Sequence, residues 1–129
     1  MRWAEVRWGR VIGLAGLAEV LLVLASILYM VIYGFFYPGH PEEFYQQHVR
    51  VAGPWISIVA GMPIFFLFAR WLARDSVVAA LAFFAIWAAL DNSILVAIDG
   101  ASGIWRIFPL WAASHATKLL SVWAGARFR

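Results

Sequence analysis

Long apolar runs separated by short polar clusters organise this chain. Four runs reach the roughly 20 residues that a bilayer-spanning helix needs: residues 11–37, 51–72, 76–98 and 104–126. They are continuous rather than alternating, which predicts helices and excludes a transmembrane β-barrel. The longest polar connection, 38–50, is too short for a separate soluble domain. The pattern therefore predicts one unit over residues 1–129: an all-α, integral membrane four-helix antiparallel bundle with four transmembrane helices. A basic lead precedes the first run, as in a signal peptide. The run is far longer than a signal core and no A-x-A site follows, so it is expected to be retained.

Composition sharpens this reading. Apolar residues make up 64% of the chain and charged residues 13%, and the mean hydropathy is +0.81. Soluble chains carry roughly 45–50% apolar and about 25% charged residues. A soluble globule and a disordered tail are both excluded. The net charge of +3 does not point to nucleic acid, because the basic residues stand at the ends of the apolar runs, where a bilayer places them. The expected partner is the lipid bilayer, with a homo-oligomer or another membrane subunit beside it and no nucleic acid. Nine of the ten basic residues are arginine, a bias that suggests a bacterial inner membrane. The absence of cysteine removes disulfides, thiol nucleophiles and thiolate metal sites.

The charges also orient the spans. Arg2, Arg7, Arg10, Arg70, Arg74, Arg127 and Arg129 flank one end of the runs, whereas Arg50 and Arg106 flank the other. Basic residues collect on the inner side, so both termini are expected to be cytoplasmic and the 38–50 loop outside. Trp3, Trp8, Trp55, Trp71, Trp105 and Trp123 fall near the predicted helix ends, the interfacial positions that indole prefers. Gly9, Gly13 and Gly16 form a small-residue face through which another helix is expected to pack. Pro63 predicts a kink in the second helix.

Charges inside the apolar layer cost about 2.5–3.5 kcal/mol each near its centre, so Glu19, Asp91, His115 and Lys118 demand a reason. Glu19 and Lys118 each lie eight residues from an inner helix end, about 12 Å deep at 1.5 Å per residue. They are expected at one level, either as a structural ion pair or as parts of a proton-coupling site. Ser26, Tyr29, Tyr33, Ser57, Trp87 and Trp111 share the polar helix faces by their spacing and are the expected pocket-lining residues. Ser26 and Tyr29 are nearest in level to Asp91, and His115 is a candidate proton relay.

Leu17-Ala18-Glu19-Val20 resembles the first-helix glutamate motif of the small multidrug resistance exporters, which are four-helix chains of similar size. Phe84-Ala85-Ile86-Trp87 is similar to a tryptophan-bearing stretch of that family. The resemblance implies that Glu19 is a proton- and drug-binding carboxylate and that Trp87 stacks on substrate. It covers eight residues of 129. The long charged loop, Asp91 and Lys118 depart from the family pattern, and a lysine beside Glu19 would oppose cation binding.

The 38–50 segment contains His40, Glu42, Glu43 and His48 without H-E-x-x-H spacing. It is read as an amphipathic surface helix, and no metal or cofactor is expected. No catalytic residue is identified. No nucleophile elbow or phosphate-binding glycine loop is present, although a lipid-modifying enzyme using Asp91 or His115 would leave no readable motif. The expected role is non-enzymatic: an accessory, scaffold or interaction subunit. The alternative is a small proton-coupled transporter using Glu19. The two differ in what they require of the interior. A transporter needs a water-reachable cavity lined by Glu19, Asp91 and His115. A scaffold needs a dry, paired interior and an exposed small-residue face.

Overall fold

The structure, a computed structural model, describes residues 6–74 and 76–128. Arg2, Trp3 and Arg129, used above for orientation and boundaries, lie outside the described residues. Among the described residues the chain forms five helices and no strand: α1 (Trp8–Phe36), α2 (Glu42–Leu72), α3 (Val77–Asp99), α4 (Ala101–Arg106) and α5 (Phe108–Arg127). By length and composition α1, α2 and α3 are able to cross a membrane.

Two boundaries differ from those the hydropathy predicts. Helix α2 starts at Glu42 instead of 51, so the expected 38–50 loop contracts to residues 37–41. The polar stretch is helical for local reasons. Pro41 holds an extended N-cap (φ −61°, ψ 156°), and Glu42 and Glu43 occupy the first turn, where carboxylates favour the positive end of the helix dipole. At 31 residues the helix is about 46 Å long, well beyond the roughly 30 Å apolar layer, so its charged first turns need not enter lipid. Pro54 and Pro63 lie inside this helix; each lacks an N–H and so leaves the carbonyl four residues earlier without its intrahelical donor.

The second difference is in the fourth run, which divides at Ile107 into α4 and α5. Pro109 cannot donate to the Trp105 carbonyl and its ring crowds that group, and Ile107 turns out of helical geometry (φ −113°, ψ 21°). Gly100, at φ +71°, ends α3 in a conformation that only glycine adopts cheaply. The start of α3 is capped by Ser76, whose hydroxyl accepts a 3.4 Å hydrogen bond from the Ala79 N–H.

Contacts fix the helix directions. Arg10 lies 4.7 Å over the Trp71 ring, while Tyr33 stacks on His48, so α1 and α2 are antiparallel. Phe68 meets Phe83, and Phe65 meets Phe83 and Trp87, so α3 runs against α2. Ser57 touches Ser114 and Gly61 touches Lys118, so α2 and α5 run parallel. Helices α1 and α5 each pack against both α2 and α3.

The two ends of this assembly are built differently. At one end Val11, Ala15, Phe65, Ala69, Phe83 and Val122 are fully buried. Alanines let the helices close on a few aromatic rings, the device that membrane helices use where burial in lipid supplies no hydrophobic drive. At the other end, beside the 37–41 turn and Gly100, the helices stand apart. At the closed end two backbones come into direct contact: a Cβ on Gly125 would overlap the Phe66 carbonyl oxygen. By contrast, a Cβ on Gly9, Gly13 or Gly16 would meet nothing within 4 Å. The small-residue face expected to pack is therefore not packed within this chain; Gly61 and Gly125 serve that purpose instead.

Candidate functional site

The separated helices enclose a cavity of about 450 Å³ whose lining runs from the exposed Arg50 and Arg106 to Glu19, Asp91 and His115. Each long helix contributes a polar face to it at the spacing of helical turns. Ser26 of α1, Ser57 of α2, and Trp111 and Ser114 of α5 also line it.

Glu19 is 7% exposed, and its Oε2 is buried without a hydrogen bond. Asp91, Trp87 and Lys118 are its polar neighbours. Lys118 is fully buried, yet it forms no ion pair with Glu19. Its Nζ donates instead to the Ser114 hydroxyl and, at 3.4 Å, to the Ser114 carbonyl. The amine also stands 5.2 Å from the Trp87 ring centre, where the ring quadrupole favours a cation. The lysine stem lies in the notch left by Gly61, whose missing Cβ would come within 2.7 Å of Lys118 Cε. Lys118 is thus behind the cavity wall rather than in it.

His115 has one bonded and one unpartnered ring nitrogen. Its Nδ1 lies 3.0 Å from the Trp111 carbonyl oxygen. A carbonyl only accepts, so Nδ1 carries the hydrogen. Nε2 is buried and unpartnered, and in the neutral ring it holds a lone pair able to take a proton. The ring is held between Trp87, 5.2 Å away, and Trp111, 4.6 Å away. Trp111 is fixed in turn by a 2.9 Å hydrogen bond from its Nε1 to Asn92 Oδ1.

Of the six expected lining residues, Ser26, Ser57 and Trp111 are in the wall, and Tyr29, Tyr33 and Trp87 are outside it. Trp87 is fully buried under Phe65 and His115, so it offers no face to a solute. Tyr29 and Tyr33 are drawn to the extended start of α2. The Tyr29 hydroxyl and His48 Nε2 share a 2.8 Å hydrogen bond, and Tyr33 stacks on His48 with ring centres 3.7 Å apart. Tyr45 donates to the Tyr37 carbonyl at 2.6 Å. Tyr29 thus bonds His48 rather than Asp91. Among the described residues no cluster suited to a metal ion is found.

Sequence reasoning overlooked Arg50, Asp99, Arg106 and Ser114 as cavity residues. The arginines were read as topology markers alone. Their shared position, on the less basic side of the chain, was the available signal that both belong to one cavity mouth.

Comparison of the chain with protein-family models, curated proteins and solved structures returns no match. The likeness of residues 17–20 and 84–87 to the multidrug exporters therefore remains local, and the buried position of Trp87 does not suit the stacking role that the likeness implies.

Proposed function

We propose that this protein is a small proton-coupled transporter of cationic solutes in a cell membrane. The reading includes four spans (α1, α2, α3 and the α4–α5 segment), both termini on the cytoplasmic side, and no bond-making chemistry. The observation that carries it is the open cavity ending on Glu19, Asp91 and His115. A dry scaffold would have those groups paired; here Glu19 Oε2 and His115 Nε2 are buried and unpartnered.

The chemistry follows from that arrangement. A carboxyl group in the membrane holds either a proton or a cation, and exchanging one for the other avoids a buried bare charge. Glu19 and Asp91 together are the exchange site, and His115 Nε2 is a proton acceptor in the same wall. Lys118 neither fills the cavity nor pairs with Glu19, which answers the expectation that it opposes a cation. The cavity opens at one end and is closed by the aromatic and alanine core at the other, as one state of an alternating cycle requires.

The test is uptake by liposomes with an acidic lumen. Radiolabelled tetraethylammonium should accumulate through the wild-type protein. Accumulation should disappear in Glu19→Gln and when nigericin collapses the gradient. Wild-type liposomes no better than protein-free ones would end this reading.

The accessory-subunit role retains one favouring observation, the unpacked face at Gly9, Gly13 and Gly16. In a transporter that encloses so little volume the same face would join copies of the chain.

A further inference from the structure

Charge is not spread evenly over the cavity wall. The deep end has the carboxyl groups of Glu19 and Asp91, with Lys118 behind them. The mouth has Arg50 and Arg106 against a single acid, Asp99. With formal charges, two acids against one lysine leave the deep end negative, and two arginines against one aspartate leave the mouth positive. Among the described residues no hydrogen bond or ion pair occupies either mouth guanidinium. Between the ends the wall is largely apolar, with Leu22, Val23 and Ile27 from α1 and Leu95 and Ile98 from α3, interrupted by the hydroxyls of Ser26 and Ser57.

The separation of the two ends can be read from the helices. Eleven residues of α2 separate Arg50 from Gly61, which is level with Lys118, and eight of α3 separate Asp91 from Asp99. At 1.5 Å per residue these backbone levels lie about 12–17 Å apart.

We infer that the cargo is a zwitterion with an aliphatic middle, its ammonium end at Glu19 and Asp91 and its carboxylate end between Arg50 and Arg106. This rests on the reading of Glu19 and Asp91 as a cation site and adds the second end. A simple cation such as tetraethylammonium is met by the carboxyl groups but passes the arginines uncompensated, so it is the weaker cargo, and a simple anion would meet the carboxyl pair. A zwitterion of the right length has each charge met by its opposite, and its methylene chain covers the apolar wall. Guanidinium suits the outer end because its planar fork receives a carboxylate with two hydrogen bonds. A volume of about 450 Å³ is that of a small-molecule pocket.

The experiment is competition binding on the full chain in lipid nanodiscs, with tritiated ω-aminooctanoate as probe and empty nanodiscs subtracted. The extended probe spans about 10 Å, and the long, flexible arginine side chains are able to cover the rest of the rise between the two ends. Octylamine, octanoate and γ-aminobutyrate are the competitors. The expected result is that ω-aminooctanoate binds at least about tenfold more tightly than octylamine or γ-aminobutyrate, about 1.4 kcal/mol, and that octanoate is weaker still. In the double variant Arg50→Gln/Arg106→Gln the advantage over octylamine should vanish. Both arginines are exposed, so this variant should fold, and elution as a single species checks it. Octylamine binding as well as ω-aminooctanoate, or an advantage that survives in the double variant, overturns the inference and leaves the cation site standing. No binding of any amine overturns both.

Discussion

The closed and open ends of this helix assembly are made from the same four long helices and yet obey different rules. At the closed end small residues bring backbones together. Ala15, Ala69 and Ala80 are fully buried, Gly125 meets the backbone of α2 directly, and Phe65, Phe83 and Trp87 fill what remains. At the open end Ser26, Ser57, Asp91 and Trp111 line a shared cavity, and among the described residues only side chains bridge the helices there, Trp111 to Asn92 and Ser57 to Ser114. The difference teaches that polar side chains facing a common axis hold a membrane bundle apart unless they pair, whereas alanine and glycine let it close. Beside the cavity, Tyr29, Tyr33 and His48 join α1 to α2 through ring stacking and a hydrogen bond.

The largest expected effect tests that contrast directly. The chain has no cysteine, so single cysteines report without background. Ser26→Cys and Ser57→Cys should react with a charged, membrane-impermeant thiol reagent about 100-fold faster than Ala69→Cys or Ala80→Cys, because a buried thiol must wait for local opening. Equal rates would erase the distinction between the ends.

Next in size is Gly125→Leu. The Phe66 carbonyl cannot yield as a side chain can, so overpacking should cost about 3 kcal/mol, seen as a lower midpoint in denaturing detergent. Gly61→Ala presses on the flexible Lys118 stem instead and should cost about 1 kcal/mol. If the two substitutions cost the same, the backbone contact is not what sets the closed end.

The smallest effect should come from Tyr33→Ala at the open end. Losing its stacking with His48 should cost about 1 kcal/mol and leave the labelling of Ala69→Cys unchanged. A fall in protection at residue 69 would mean that the two ends are coupled.

How far the sequence was readable follows the same division. Continuous apolar runs identified the helical class, and the rarity of charge within them identified Glu19, Asp91 and His115. Both signals are properties of single segments. Features that depend on the register between segments were not legible. Gly9, Gly13 and Gly16 carry the familiar spacing, yet Gly61 and Gly125, without it, receive the neighbouring helix. Hydropathy placed the start of the second span at 51, because it measures affinity for lipid. It does not measure helix formation, and Pro41, Glu42 and Glu43 begin the helix nine residues earlier. The division at Ile107 is invisible to hydropathy, which sees one apolar run over 104–126 and does not register that Pro109 opens a second helix within it.

The notch at Gly61 has a consequence for biogenesis. Helix α5 is not among the three helices apolar enough to cross a membrane on their own terms, and its Lys118 would enter lipid bare. In the folded chain the lysine stem lies in the Gly61 notch, its amine is held by Ser114, and no part of it reaches the surface. The site that shelters the lysine belongs to α2, which leaves the ribosome earlier. On the four-span reading proposed above, insertion of the last helix is then templated: α2 must be in place before α5 can leave the translocation machinery. A bulky residue at 61 would on that reading be felt first as failed membrane integration.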